Sequence, residues 1–355
     1  MEGNLKMKKI LTTLCAVAML AGCTAGGSKK SSTNTASTKE ETAATVMVGT
    51  GSVTNVSNKT KEGSDTAAQF DTTFASVVLE GNVIKYVYFD VAQDKVTYDA
   101  TGHVTSDNTA STSKKALGDK YGMKDKSSIK KEWYEQVEAL EKWAVGKTVE
   151  EVLNMPTTQK DEKHTVSADK DLMTGCTIGV TAFQQALDKA AKNAVEVKDV
   201  ASVGSAILTK VSGKDASAEK SGEAKASSTY GVVALDKDGK VVFTQTDVAQ
   251  NAVKFTTAGA LDGEAVAIAT KGEKKDEYGM KKVSSIGKEW FEQNQAYDDW
   301  TVGKTGKEIA DMKVTTNEGG KTVTADKDLM TGCTIGVDSL QKVTTTAIEA
   351  ATKLN

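Results

Sequence analysis

The sequence predicts an α+β protein: two tandem copies of a small domain, each an antiparallel sheet packed with helices, after a leader and a flexible tether. Two observations carry this prediction. The ten-residue string DLMTGCTIGV occurs letter for letter at Asp171–Val180 and at Asp328–Val337. In both copies, segments of alternating apolar and polar residues precede segments with apolar residues three and four positions apart, the spacing of an amphipathic helix.

The repeat extends well beyond this string. Tyr121–Lys124 matches Tyr278–Lys281, and both this pair and the repeated string are 157 positions apart (278 − 121 and 328 − 171). The constant offset means that no net insertion separates the copies over this stretch. A chain of 355 residues has room for two domains that each bury a core. We predict domains at 46–198 and 199–355.

Each predicted copy opens with strands. Turn residues such as Asp236–Gly239 separate its alternating segments, a pattern typical of antiparallel strands. The predicted strands are Ala75–Leu79, Val83–Phe89 and Lys95–Tyr98 in the first copy, and Gly231–Leu235, Lys240–Thr246 and Ala252–Phe255 in the second.

Three predicted helices follow the strands. The first has an apolar face in the first copy and a weaker one in the second. These faces are Ile129, Trp133, Val137, Leu140 and Ala144, and Ile286, Trp290, Asn294, Tyr297 and Thr301. Capping boxes at Thr148–Glu151 and Thr305–Glu308 open the second helix. The last helix begins near Thr181 or Asp338, so the repeated string lies in a turn and short strand that lead into it. Backbone N–H groups at such a place can bind phosphate.

The N-terminus resembles the leader of a bacterial lipoprotein. Lysines precede an apolar stretch, Ile10–Leu20, that is too short to span a bilayer. Leu20–Cys23 resembles a lipobox, which predicts a leader of residues 1–22 and a lipid on Cys23. A plain secretory leader with an incidental cysteine is the alternative. Residues 23–45 are small and polar and predict a flexible tether. We expect a lipid-anchored protein on the extracytoplasmic face of the cell membrane.

Composition argues against several functions. A net charge of −3 gives no electrostatic case for nucleic acid binding. His103 and His164 have no histidine counterpart in the other copy, so neither histidine-assisted nucleophilic catalysis nor a zinc site is indicated. We therefore predict no catalytic residues and no metal site. All 45 basic residues are lysine, so a phosphate must be held by Lys, by backbone N–H groups or by a covalent bond.

One cysteine remains in each copy once the leader and Cys23 are set aside. A disulfide between Cys176 and Cys333 is possible in an exported protein. Equivalent positions of tandem copies seldom touch, however. We predict two separate thiols that act as small space-filling residues.

The repeated string resembles the flavin-attachment motif of FMN-binding domains: Asp, two variable residues, Ser or Thr, Gly, usually Ala, and Thr. In that family a flavin transferase joins the last Thr to FMN through a phosphoester. The resemblance makes Asp171 and Asp328 the motif acids, Thr174 and Thr331 the hydroxyl positions, Gly175 and Gly332 the glycines, and Thr177 and Thr334 the acceptors. Cys176 and Cys333 stand where Ala is usual and are small enough to fit.

The resemblance covers nearly all of residues 46–355. The segments YGMK, IKKEWYEQ and VGKT, and the DVAQ strands, look like FMN-binding domains of Gram-positive lipoproteins. This implies two FMN groups per chain, an electron donor such as a membrane quinone or NADH dehydrogenase, and extracellular acceptors. It implies an electron carrier rather than an enzyme with its own substrate pocket. Tyr121, Met123, Tyr278 and Met280 lie in a loop-like stretch and are candidates to touch the flavin ring.

Alternatives stay open at this point. Trp133 and Trp290 are more often core residues than flavin-stacking partners at such a spacing. Asp171 and Asp328 cap a turn, orient the acceptor hydroxyl, or bind a metal of the transferase. The chain as a whole is alternatively a non-redox surface lipoprotein that binds a solute or a protein partner.

Overall fold

Two four-stranded antiparallel sheets dominate the computed structural model, which describes residues 45–108, 111–162 and 164–354. The strands of the first copy are β1 (Val46–Thr60), β2 (Thr66–Glu80), β3 (Val83–Tyr98), β4 (Thr157–Asp161), β5 (His164–Ser167) and β6 (Val195–Val197). Its helices are α1 (Lys114–Leu117), α2 (Trp133–Ala144), α3 (Val149–Leu153), α4 (Lys170–Met173) and α5 (Thr181–Lys192).

The second copy has the same order of elements. Its strands are β7 (Ser202–Lys214), β8 (Gly222–Leu235), β9 (Val241–Phe255), β10 (Val314–Thr316), β11 (Thr322–Thr324) and β12 (Thr352–Lys353). Its helices are α6 (Lys271–Lys274), α7 (Trp290–Thr301), α8 (Gly306–Ala310), α9 (Lys327–Met330) and α10 (Asp338–Glu349). Short 3₁₀ turns follow α1 at Gly118–Tyr121 and α6 at Lys275–Tyr278 and Met280–Lys282.

Both large sheets have the same topology, β3-β2-β1-β6 and β9-β8-β7-β12, and β4-β5 and β10-β11 form separate hairpins. All these pairings are antiparallel. The α+β class is therefore confirmed. The predicted leader, Cys23 and the tether as far as residue 44 lie outside the described residues.

The predicted strands are wrong in length. The two segments predicted within Val83–Tyr98 form one continuous strand, and Val241–Phe255 likewise merges two. Asp90 interrupts the apolar alternation but does not end the strand, because its buried carboxylate accepts the N–H groups of Val91 (2.7 Å) and Lys115 (3.0 Å). A buried polar group is tolerated in a strand when its hydrogen bonds are satisfied in this way.

The first helix also differs from the prediction. It begins at Trp133, behind a capping box of Glu132 and Glu135, and leaves Ile129 outside. The helix does not include Ile129 because Lys130, just after it, has a φ of 54°. This is a left-handed backbone conformation, which interrupts an α-helix. The other predicted helix starts are confirmed, with capping boxes at Thr148 and Thr305.

The two sheets pack face to face through their inner surfaces. Equivalent rings of the two copies, Tyr98 and Phe255, stack with centroids 3.7 Å apart and planes at 7°. Phe74 packs on Tyr230 at 5.1 Å in the middle of the same layer. The two copies thus share an apolar core between the sheets, in addition to the core that each sheet forms with its own helices.

Helices cover only part of each outer sheet surface. Along β2, burial alternates from Thr66 to Asp71 and becomes continuous from Thr72 to Leu79, and β8 repeats this pattern. The buried half lies under α2 and α5, where Phe183, Ala186, Leu187 and Ala190 of α5 are buried against the sheet. The open half forms the floor of a groove beside the helices. None of the helices in the described part of the chain is long and apolar enough to cross a membrane.

Candidate functional site

The repeated string forms a compact turn between two helices. Its first residues belong to α4, so the prediction of a turn and short strand is wrong for Asp171–Met173. The helix forms there because the Asp169 side chain accepts the N–H groups of Asp171 and Leu172 and thereby caps it. Beyond the turn, Gly179 bridges to Val166 and α5 begins.

Thr177 is held by one buried side chain, Gln136 of α2. The Thr177 N–H donates to Gln136 Oε1 at 2.9 Å, and the Thr177 hydroxyl donates to the same oxygen at 3.1 Å. Gln136 is fully buried. Its Nε2 donates to the Lys131 carbonyl and to Ser127 Oγ, both at 3.1 Å, which fixes the orientation of the amide.

The second copy repeats this arrangement. Gln293 Oε1 accepts the N–H of Thr334 at 2.8 Å and its hydroxyl at 3.0 Å. Gln293 Nε2 donates to the Lys288 carbonyl at 3.0 Å and to Ser284 Oγ at 3.1 Å. Both threonine hydroxyls therefore have a defined direction, set by a side chain on the neighbouring helix.

The glycines let the turn approach that helix. A Cβ on Gly175 would lie 2.7 Å from the Ala139 Cβ, and one on Gly332 would lie 2.8 Å from the Ala296 Cβ. Lys131 Nζ is 3.8 Å from the first of these positions, and Lys288 Nζ is 3.9 Å from the second. Each turn thus has an ammonium group beside it.

Asp171 and Asp328 are exposed in the first turns of α4 and α9. Their carboxylates do not cap these helices, because Asp169 and Asp326 do so. Nor do they hold the hydroxyls of Thr177 and Thr334, which donate to the two glutamines. Thr174 and Thr331 are exposed, and their hydroxyls donate to the Asp171 and Asp328 carbonyls at 2.8 Å. These side chains are on the solvent side of the turn.

Cys176 and Cys333 point into the core instead. Both are free, buried thiols, in agreement with two separate space-filling residues. Burial raises the pKa of each thiol to about 11, which keeps it protonated and unreactive at neutral pH.

Thr177 lines a groove of about 1110 Å³ in the first copy. Around Thr177, the groove is lined by Tyr121, Met123, Trp133 and Lys114, and its floor continues over the open half of the sheet. The structure therefore brings Tyr121 and Met123 into one groove with Thr177. Trp133 is only 3% exposed, which makes it mainly a core residue with one edge on the groove.

A lysine and two aromatic rings form a cluster at this place in both copies. Lys114 Nζ lies 5.2 Å from the Tyr121 ring and 5.6 Å from the Trp133 ring. Lys271 Nζ lies 5.4 Å from Tyr278 and 5.6 Å from Trp290. The faces of such rings attract a cation, which holds each ammonium over them. We call these the ring clusters.

Sequence reasoning missed the glutamines, the two cluster lysines and the buried Glu132 and Glu289. Each glutamate accepts two N–H groups of the loop that carries the methionine, Met123 and Lys124 in the first copy and Met280 and Lys281 in the second. The sequence does contain a signal for them, because each of these residues has an identical residue 157 positions away in the other copy.

Comparisons of the chain with protein families, with curated proteins and with solved structures find no match. No group of three or more metal-ligating side chains occurs among the residues that the structure describes.

Gln136→Leu is expected to destabilise the first copy by about 1–3 kcal/mol, because it leaves the half-buried Thr177 N–H without its acceptor. Thermal unfolding with and without the substitution measures this cost. Gln295→Leu is the matched control, because Gln295 is exposed on α7. Equal stability of the Gln136→Leu protein and the parent would show that the glutamine does not hold the turn.

Proposed function

We propose that this protein is a membrane-anchored extracytoplasmic flavoprotein that carries FMN on Thr177 and Thr334 and passes electrons from the membrane to extracellular acceptors. The observation that carries the proposal is the shared environment of the two threonines. Each presents an oriented hydroxyl, held by a buried glutamine, with an ammonium beside its turn, and each copy has a ring cluster.

The described residues fit both ends of FMN. Lys131 lies at the attachment turn, and Lys160 Nζ donates to the Thr177 carbonyl at 3.1 Å, so two cations are available to a phosphate ester on Thr177. Because the chain has no arginine to bind a phosphate, these two lysines support attachment of FMN at Thr177. The adjoining groove offers Tyr121, Met123 and Trp133 to an aromatic ring system.

The glutamine is a positioning residue for attachment. The hydroxyl hydrogen of Thr177 points to Gln136 Oε1, which leaves the lone pairs of Oγ1 free to bond to phosphorus. An amide oxygen is a poor base, so the transferase has to remove the proton. It also has to supply an activated FMN, whose bond from phosphorus to its leaving group breaks as the Oγ1–P bond forms. The exposed Asp171 and Thr174 lie on the surface that such an enzyme has to approach.

Once bound, FMN supplies the redox chemistry, and the chain supplies attachment, position and surrounding charge. A covalent link prevents loss of the flavin into the medium outside the cell. A lipid on Cys23 and a polar tether would keep the carrier at the membrane.

Co-expression with a flavin transferase tests the proposal. We expect a yellow, fluorescent protein whose colour stays with the polypeptide after denaturation and precipitation. Colour that is released into the supernatant would overturn covalent attachment. A colourless protein from a host that flavinylates a control substrate would overturn the flavoprotein proposal and favour a surface lipoprotein that binds a solute or partner.

A further inference from the structure

The two attachment turns expose the same four side chains to solvent. Leu172 is buried in the first of these turns, and the exposed side chains on either side of it are Lys170, Asp171, Met173 and Thr174. The second copy has the same residues, with the same pattern of burial and exposure, at positions 327–331. Packing fixes a buried residue such as Leu172, but it does not determine an exposed one. The identity of the exposed side chains is therefore not explained by packing.

The methionine is the apolar member of this exposed group. Met173 is 42% exposed and Met330 is 44% exposed, whereas the other three members are polar. Two successive N–H groups of the first turn donate to the Leu172 carbonyl, at 2.9 and 2.8 Å, which winds the chain after Met173 into a single turn. Thr177 follows directly after this turn. An enzyme that reaches Thr177 therefore also meets Met173.

The exposed surroundings of the two turns differ. Lys160 of β4 corresponds to Asn317, and Thr181 at the start of α5 corresponds to Asp338. All four of these residues are exposed. An enzyme that modifies both turns can use the same contacts only where the two copies agree. The exposed group at residues 170–174 and 327–331 supplies such contacts.

We propose that Met173 and Met330 are the apolar anchors by which the flavin transferase binds the two attachment turns, each thioether entering an apolar pocket beside the enzyme's catalytic site. This inference rests on the proposed function. At protein interfaces, a few side chains buried in well-packed pockets carry most of the binding energy, and the contacts around them exclude water. Methionine suits this role because its flexible, polarisable side chain adapts to surroundings that differ, as they do between the two copies.

A time course of attachment during co-expression tests the inference. Mass spectrometry gives the flavinylated fraction of the peptide with Thr177 and of the peptide with Thr334 in the same chain. Shortly after the transferase is induced, we expect M173Q to lower the first fraction relative to the second by about tenfold, which corresponds to about 1.4 kcal/mol of binding. M330Q is expected to shift this ratio by a similar factor in the opposite direction. The unchanged copy reports on the enzyme and the flavin supply.

Two further variants make the test specific. M173L keeps an apolar side chain and should be flavinylated like the parent. V145Q is the matched control, because Val145 is 46% exposed and also has an identical counterpart, Val302. Val145 follows the end of α2, whereas Gln136, which holds Thr177, is in the first turn of that helix. V145Q should therefore leave the ratio unchanged. Because Met173 is exposed, thermal unfolding of M173Q should match that of the parent.

Three results would overturn the inference. The first is a parent-like ratio in both M173Q and M330Q. The second is a loss in M173L as large as that in M173Q, since the apolar character of the side chain would then not matter. The third is an equal loss in V145Q, which would show that the position beside the attachment turn does not matter. A parent protein with no flavin on either threonine would mean instead that the proposed function itself has failed.

Discussion

Thr177→Val is expected to remove one of two flavins from the protein, and Thr334→Val the other. Valine has the shape of threonine and lacks only the hydroxyl, so the substitution removes the atom that would bond to phosphorus. The double variant should carry no covalent flavin. Flavin absorbance per polypeptide after denaturation measures each of these losses.

Each single variant contains its own control, because the unchanged copy reports on the transferase, the flavin supply and the overall fold. In the Thr177→Val protein the backbone N–H of residue 177 still donates to the buried Gln136 Oε1. The turn therefore retains one of its two hydrogen bonds to that oxygen. A Thr177→Val protein that still carries two flavins would place the attachment elsewhere. Loss of both flavins from one substitution would show that the copies are not modified independently.

Asp298→Asn is expected to stabilise the protein at neutral and higher pH. Asp298 is a buried residue on α7, and its carboxyl accepts the Thr246 hydroxyl at 2.7 Å and the Thr246 N–H at 3.1 Å. The equivalent Glu141 of the first copy pairs with Lys115 at 2.7 Å, whereas the second copy has Gly272 at that lysine position. Burial raises the pKa of Asp298 well above its ordinary value.

The sign of the pH dependence follows from this raised pKa. The folded protein binds the Asp298 proton more tightly than the unfolded chain, whose aspartate pKa is about 3.9. Between these two pKa values stability falls as pH rises, by up to about 1.4 kcal/mol per pH unit. In the protonated acid Oδ1 donates to Thr246 Oγ1, whose own hydrogen turns to Asn294 Oδ1 at 3.3 Å. The Nδ2 of an asparagine donates in the same way and has no proton to lose. The substituted protein should therefore match the parent near pH 4 and exceed it increasingly above that.

Chemical denaturation across this pH range measures the difference. Asp299→Asn is the matched control, because Asp299 is the exposed neighbour on the same helix. An Asp298→Asn protein with the same pH profile as the parent would show that this carboxyl is ionised in the fold.

The starts of the capped helices and of the last helix in each copy were the most predictable part of this fold from sequence. Their signals are local: the capping boxes at Thr148 and Thr305 and the spacing of Phe183 and Leu187 need only neighbouring residues. Strand lengths were less predictable. β3 continues past Asp90 because of a hydrogen bond from Lys115, which is distant in sequence.

The residues of the candidate site were likewise predictable only in part. The repeated string pointed to Thr177 and Thr334, but not to the glutamines that hold them, which lie 41 positions away. The stacking of one sheet on the other could not be read from the strands, because their inner faces have the same alternation as a solvated sheet would. Buried polar residues such as Asp298 were likewise hidden, since only the packed structure shows what covers them.

Peptide-level mass spectrometry of protein co-expressed with its flavin transferase tests the central claim most directly. We expect the peptides that contain Thr177 and Thr334 each to carry one FMN, with fragmentation that places the phosphoester on those two residues. Unmodified peptides at both positions, in a host where another substrate of the transferase is flavinylated, would contradict the account.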